Sequence, residues 1–198
     1  MIRNRPAVLR PDSLWQIAPD GWCQSATICA SPNYGVRPDA TDISMLVIHN
    51  ISLPQGQFGG PYIQELFQNT LDCDSDPSFA SLRGLEVSAH FLIRRDGQLL
   101  QFVSTLERAW HAGLSSFEGR TGCNDFSVGI ELEGTDELAF EAAQYQTLVA
   151  LTQALLQRFP IQVIVGHDEI APGRKTDPGA CFDWSRYQDA LWNTDAPG

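Results

Sequence analysis

A helical period runs over residues 142–159, with Tyr145, Leu148, Val149, Thr152, Leu155, Leu156 and Phe159 at one-face spacing, and Pro160 stops it. Residues 161–165 follow at once as a short apolar β-type run that ends at Gly166-His167. A long amphipathic helix leading straight into a buried-type strand points to layers of helix on sheet. The rest of the chain agrees. Met45-Leu46-Val47-Ile48-His49 is a second apolar β-rich run, and it exits into the Gly/Pro-rich loop SLPQGQFGGP. Residues 62–69 can form a helix with Ile63, Leu66 and Phe67 on one side, and residues 72–83 have loop composition. Residues 87–93 and 99–103 flank an Asp96-Gly97 pair, a strong hairpin turn signal. Residues 127–133 alternate, with Val128, Ile130 and Leu132 on one face and Gly129, Glu131 and Glu133 on the other. A short helix is expected over 183–192. The sum is a single α/β domain with a mixed central sheet flanked by helices.

The chain has 198 residues, enough for one domain with a real core. Residues 1–41 are rich in Pro, Asp and Ser without a long apolar period, so they read as an arm packed on a body of residues 42–198. The net charge of −11 disfavours nucleic acid and anionic membrane as partners, because a phosphate-reading surface needs a dense basic face. No stretch approaches the ~18–20 apolar residues of a membrane span, and the first residues lack the apolar run of a signal peptide. Five cysteines without CxxC spacing give neither a disulfide framework nor a Cys-rich zinc site. A cytoplasmic monomer with reduced thiols is the expectation.

Of the four histidines, His49 and His167 each stand at the end of an apolar run and lead into a Gly/Pro-rich loop. Open α/β sheets build their sites at such strand ends. One histidine so placed is usually a hydrogen-bonded structural residue; two matching placements weaken that account. After His167 the chain reads HDEIAPGRKTDPG, with Lys175, the one lysine of the chain, two residues before Asp177. Two imidazoles and a carboxylate suit a zinc ion with a fourth position left open for water, whose pKa zinc lowers from about 15.7 toward 7. Such a site also needs a proton carrier and a partner for a developing oxyanion. Lys175 suits the second role. Glu131 is the natural candidate for the first, but Glu133 shares its face, and alternation cannot choose between them.

LVIHNISLP, VSAHFLIRRDG, RAWHAG, NDFSVGIELEG and GHDEIAPGRKTDPG occur in this order over residues 46–179. Together they resemble the amidase-2/peptidoglycan-recognition family, in its cytosolic branch of 1,6-anhydro-N-acetylmuramyl-L-alanine amidases. The resemblance implies a mixed sheet around a zinc cleft, zinc held by His49, His167 and Asp177, and catalytic roles for Glu131 and Lys175. The family thus selects Glu131 over Glu133. It further implies that Asn50, His90, Trp110 and His111 line the cleft as substrate-binding residues, with Trp110 stacking on a sugar face. Phage-type members are similar but carry a tyrosine where this chain has Ala89, and often a cysteine where it has Asp177. Both differences point to the recycling branch and leave the proton work to Glu131.

The implied reaction is zinc-dependent hydrolysis of the amide between 1,6-anhydro-N-acetylmuramic acid and L-alanine in a small muropeptide. Two alternatives stand beside it: an amidase or endolysin acting on intact peptidoglycan, and a non-catalytic peptidoglycan-recognition binder. A stem peptide carries carboxylates, and some relatives place arginines where this chain has Glu86 and Gly122. Arg83, Arg108 and Arg120 stand nearby in sequence, and Arg120 is the expected substitute for gripping the stem.

Overall fold

The computed structural model describes residues 2–3 and 15–192. Much of the stretch expected to form an arm, residues 1 and 4–14, lies outside the described residues. Within them the strands are β1 (Ile2–Arg3), β2 (Thr27–Ile28), β3 (Tyr34–Gly35), β4 (Met45–Ile51), β5 (Phe91–Ile93), β6 (Leu99–Gln101), β7 (Arg108–Ala109), β8 (Ser116–Phe117), β9 (Arg120–Thr121), β10 (Ser127–Glu133) and β11 (Val163–Gly166). The helices are α1 (Tyr62–Phe67), α2 (Ala142–Arg158), α3 (His167–Ile170) and α4 (Trp184–Trp192).

Seven strands form one sheet in the order β1-β11-β4-β10-β5-β6-β2. Strands β11, β4, β10 and β5 run parallel, whereas β1 and β6 pair antiparallel with their neighbours β11 and β5. The sheet is therefore mixed, as expected. The continuous apolar runs of β4 and β11 have a plain cause. Both strands lie inside the sheet and are covered on both faces, so neither face needs a polar side chain. Leu46, Ile48, Val128, Ile130, Leu132 and Ile164 pack beneath α2 and α4 with Leu148, Leu151, Leu155 and Tyr187. The opposite face puts Met45, Val47, Val163 and Val165 against Ala112, Cys123, Phe126 and Ile170. Truncating a fully buried leucine such as Leu151 to alanine costs about 2–5 kcal/mol at such sites.

The Asp-Gly hairpin forms between β5 and β6. Gly97 takes φ +87°, a conformation that strains any side chain, and the Arg94 N–H donates to the Gln98 carbonyl at 2.9 Å. The paired strands are shorter than the apolar runs, since Val87 and Val103 fall outside them. Two local differences stand out. Helix α1 ends at Phe67, two residues early, where Asn69 adopts φ +59°. Residues Pro77–Leu82, expected as loop, wind into a 3₁₀ helix, because Asp76 caps the Ser78 N–H, Pro77 sits at the first turn and Phe79 is buried.

The described part of the N-terminal stretch adds β1 and β2 to the sheet edges and Ile17 and Cys23 to the core, and it is further anchored at Arg37. This buried guanidinium donates to the carbonyls of Asn124, Asp125, Thr105 and Ser127 at 2.8–3.2 Å. Burial pulls its pKa down to about 10, so it keeps its charge at neutral pH.

Candidate metal centre

Parallel register sets the site. Glu131 of β10 lies opposite His49 of β4, and Gly166 of β11 lies opposite Ile48, so His167 follows one residue beyond. Alternation puts His49 and Glu131 on the face opposite α2. The loop after α3 brings Asp177 back to the same point, where its backbone carbonyl accepts from the Asp168 N–H at 3.0 Å. His49 Nδ1, His167 Nδ1 and Asp177 Oδ2 lie mutually 3.0 Å apart. Among the described residues they form a group able to hold a metal ion.

The chemistry of this triangle fits a cation. His167 Nε2 lies 3.1 Å from the Ala112 carbonyl, which can only accept, so Nε2 carries the proton and Nδ1 of the neutral ring is a bare lone pair. That lone pair faces a carboxylate oxygen and a second imidazole nitrogen at 3.0 Å, an arrangement that repels itself unless positive charge is shared among the three. The edges lie near the about 3.3 Å expected between ligand atoms around a tetrahedral zinc ion. Burial lowers the His49 pKa to about 4, so the ring is neutral at pH 7 and no proton opposes metal binding.

The two acidic residues of β10 separate here. Glu133 is saturated: its Oε1 accepts from Gly59 N–H at 2.7 Å and Arg94 at 3.1 Å, and its Oε2 accepts from Arg95 N–H at 3.3 Å. Glu131 is also buried, yet its Oε2 has no hydrogen-bond partner. Burial, with Asp177 nearby, pushes its pKa well above the usual carboxylate range. A buried orphan oxygen is uncommon and marks a group held ready for something other than folding.

A cavity of about 260 Å³ opens over these groups, with Lys175, Asn50, Trp110 and His111 in its walls beside Glu131 and the three candidate ligands. Leu53, Leu66, Leu82, Leu85 and Val87 give it an apolar side. Asn50 spends its amide on Asp136 Oδ1 at 2.6 Å and the Pro178 carbonyl at 3.0 Å, so it braces the Asp177 loop as well as lining the cleft.

Two of the expected cleft residues lie away from the cavity. His90 is fully buried and does not line the cleft; its Nδ1 accepts from Gly129 N–H at 3.0 Å and its Nε2 lies 3.0 Å from the Glu107 carbonyl. Its contacts make it a pin between the β5 and β10 segments, away from the cleft wall. Arg120 does not line the cleft either. Its guanidinium sits 3.6 Å from the centre of the Phe126 ring and 2.5 Å from Asp42, a pairing that nearness in sequence to a lost arginine could not reveal. The arginine that does reach this region is Arg174, which donates to the carbonyls of Ala112 and Leu114 at 2.8 and 2.7 Å. It clamps the Ala112–Leu114 segment, whose Ala112 carbonyl also meets His167 Nε2, to the loop bearing Lys175, and its place directly before Lys175 was the available signal.

The sequence matches a known family. The model of Amidase_2, N-acetylmuramoyl-L-alanine amidase, matches residues 39–180. The chain belongs to the Amidase_2 family. Within Amidase_2 it is 56% identical over 171 residues to the 1,6-anhydro-N-acetylmuramyl-L-alanine amidase AmpD of Citrobacter freundii, a match covering 85% of this chain and 91% of that protein. The crystal structure of a selenomethionine AmpD derivative superposes with a TM-score of 0.85 at 55% identity, covering 87% of this chain and 97% of that one. A further Amidase_2-like neighbour is the Escherichia coli amidase AmiD in complex with anhydro-N-acetylmuramic acid-L-Ala-D-γ-Glu-L-Lys. It gives a TM-score of 0.57 at 31% identity and covers 79% of this chain and 60% of that one. No helix among the described residues is long and apolar enough to cross a membrane.

Proposed function

We propose that this chain is a zinc-dependent amidase that cleaves the bond between the lactyl group of 1,6-anhydro-N-acetylmuramic acid and L-alanine. It does so in cell-wall recycling, as a cytoplasmic monomer of a 42–198 body with residues 1–41 as its arm. The observation that carries the reading is the 3.0 Å triangle of His49, His167 and Asp177 beside the orphan oxygen of Glu131. The high identity to AmpD of C. freundii supports the substrate, as does the ligand named in the AmiD complex.

A zinc ion held by His49, His167 and Asp177 would supply Lewis acidity toward the amide carbonyl and would lower the pKa of water toward neutrality. The protein's own groups do the rest. Glu131 takes the proton of the attacking water and returns it to the departing alanine nitrogen; its raised pKa brings the two transfers closer to balance at the working pH. Lys175, in the same cleft wall, holds negative charge on the former carbonyl oxygen. Trp110 offers its ring to the sugar, and the leucine wall excludes water from the apolar side.

Metal analysis of the purified protein, combined with product identification on an anhydromuropeptide, tests the reading. About one zinc per chain is expected, with free L-Ala-containing peptide and anhydro-sugar as products. Chelation should abolish turnover, and Zn²⁺ should restore it. Full activity in a verified metal-free sample would overturn the zinc chemistry. Turnover only on intact peptidoglycan would overturn the substrate.

A further inference from the structure

A chain of hydrogen bonds runs from His49 away from the candidate metal site and ends on a backbone carbonyl. Its direction is fixed from the far end. The Ser127 hydroxyl donates to the Cys123 carbonyl at 2.6 Å, which uses its one proton. His111 Nε2, 3.1 Å from that same hydroxyl oxygen, must then be the donor, so it carries the ring proton. With that proton on Nε2, the other nitrogen of a singly protonated His111 ring, Nδ1, is a bare acceptor, and it is the one turned toward His49. His49 Nε2 lies 3.0 Å from that Nδ1 and must therefore be protonated. In a neutral His49 the remaining nitrogen, Nδ1, is then a lone pair, and it is the nitrogen that faces Asp177 and His167.

His111 is itself held in place for this contact. Its ring lies over Gly129, where a Cβ would come within 2.5 Å of the ring carbon Cγ. A glycine inside a strand often marks such a close approach. Its backbone N–H, like that of Ala112, donates to Asn124 Oδ1, at 3.1 and 2.8 Å. The His49 and His111 rings stand nearly perpendicular, at 87°. His111 contacts the Nε2 side of His49 and is no member of the ligand group, and both of its nitrogens are engaged, which leaves none for substrate.

We propose that His111 is a positioning residue. Backed by Ser127 and given room by Gly129, it fixes His49 in the Nε2–H tautomer and so presents Nδ1 to the metal. The inference rests on the reading of His49 as a ligand. Partners of this kind commonly change metal affinity by about 10–100-fold when removed.

The test uses the full chain, with ¹⁵N-labelled histidine and long-range ¹H–¹⁵N correlation spectra of the metal-free protein to read each tautomer. Zn²⁺ affinity is measured separately by chelator competition. In the wild type, His49 and His111 should both show Nε2–H. His111→Leu should mix the His49 tautomers and weaken Zn²⁺ binding about 10–100-fold. His111→Asn places a carbonyl oxygen where Nδ1 was, and should restore both the single tautomer and most of the affinity. A His111→Leu protein with wild-type affinity and a single Nε2–H His49 would overturn the proposal. Should His111→Leu fail to fold, Ser127→Ala decides. It leaves every ring in place, and it should give mixed His111 tautomers with a several-fold loss of affinity; unchanged tautomers and affinity would again overturn the proposal. A wild type that binds no Zn²⁺ would sink the metal reading alone, because the tautomer spectra need no metal.

Discussion

Glu131 and Glu133 stand two residues apart on one face of one strand, both buried, and their surroundings are opposite. Around Glu133 the chain has built a closed polar corner. Two backbone N–H groups and Arg94 converge on the carboxylate, and Arg94 in turn donates to the Gly60 carbonyl and to Gln64 at 2.9 and 2.6 Å. That corner ties α1 and the loop before it to the β5–β6 hairpin. Around Glu131 the corner is left open: the residue lines the cleft, and one of its oxygens, buried, has nothing to accept from. The contrast teaches that burial alone does not assign a role to a carboxylate. Satisfied partners mark a structural group, and a missing partner at a cavity marks a chemical one.

The largest test of this contrast is catalytic. Glu131→Gln should lower kcat by about 10²–10⁴ while zinc content stays at the wild-type level, the usual scale for loss of a proton carrier. Glu133→Gln should keep kcat within a few-fold. Zinc analysis and steady-state kinetics on the same samples read both, and a deeper kinetic loss at Glu133 would reverse the assignment.

Stability should invert the order. Glu133→Gln leaves the Arg94 charge buried without its counter-ion, and breaking one side of such a pair costs about 3–5 kcal/mol. Denaturant melts should show that loss, whereas Glu131→Gln should show none at neutral pH. A Glu133→Gln protein as stable as wild type would mean that the closed corner is not what holds α1 to the hairpin.

A smaller effect follows from pH. The folded-state pKa of Glu131 is raised, so its protonated form is favoured by folding, and the associated stability is complete below the ordinary carboxylate pKa. It is lost as pH climbs toward the raised folded value. In metal-free protein, Glu131→Gln should therefore match wild type near pH 4 and become progressively more stable than it as pH rises, by about 1 kcal/mol or more, the scale of an unsatisfied buried group. Thermal melts at a series of pH values would show the widening gap. A gap that narrows with pH would mean that Glu131 finds a partner when ionised.

How much of this was legible in the sequence depends on the range of the interaction. Strands β4 and β11 were visible because strands covered on both faces must be apolar throughout, and the histidines that close their apolar runs, His49 and His167, pointed to the candidate site before any fold was known. The hairpin was visible because its turn chemistry is local. By contrast, alternation placed Glu131 and Glu133 on one face but could not see that Gly59 and Arg94 arrive from elsewhere to satisfy only one of them. The same blindness hid the Ser127–His111–His49 chain, whose members come from three separate segments. Gly129 was the one local trace of it, a glycine inside a clean β alternation with no turn to explain it. The 3₁₀ helix at Pro77–Leu82 escaped because a polar, proline-bearing stretch reads as loop until Phe79 is known to be buried.

Arg120 gives the smallest and most discriminating prediction, since it tests whether chain proximity implies a place in the cleft. Its charge is met by Asp42, and its plane lies over Phe126. About half of its side chain is exposed, so solvent screens the ion pair strongly. A stacked, partly exposed guanidinium contributes about 0.5–1 kcal/mol through the ring, and the ion pair adds less than that. Arg120→Ala should therefore lower stability by about 1–2 kcal/mol at most and leave KM unchanged, both for a tripeptide-bearing anhydromuropeptide and for one carrying L-alanine alone. Denaturant melts and KM on the two substrates provide the check. A KM increase of about 10-fold confined to the longer stem would correspond to ~1.4 kcal/mol of lost binding. It would show that Arg120 leaves Asp42 and Phe126 when substrate arrives, and that the open corner around Glu131 extends further along the protein surface than the apo geometry places it.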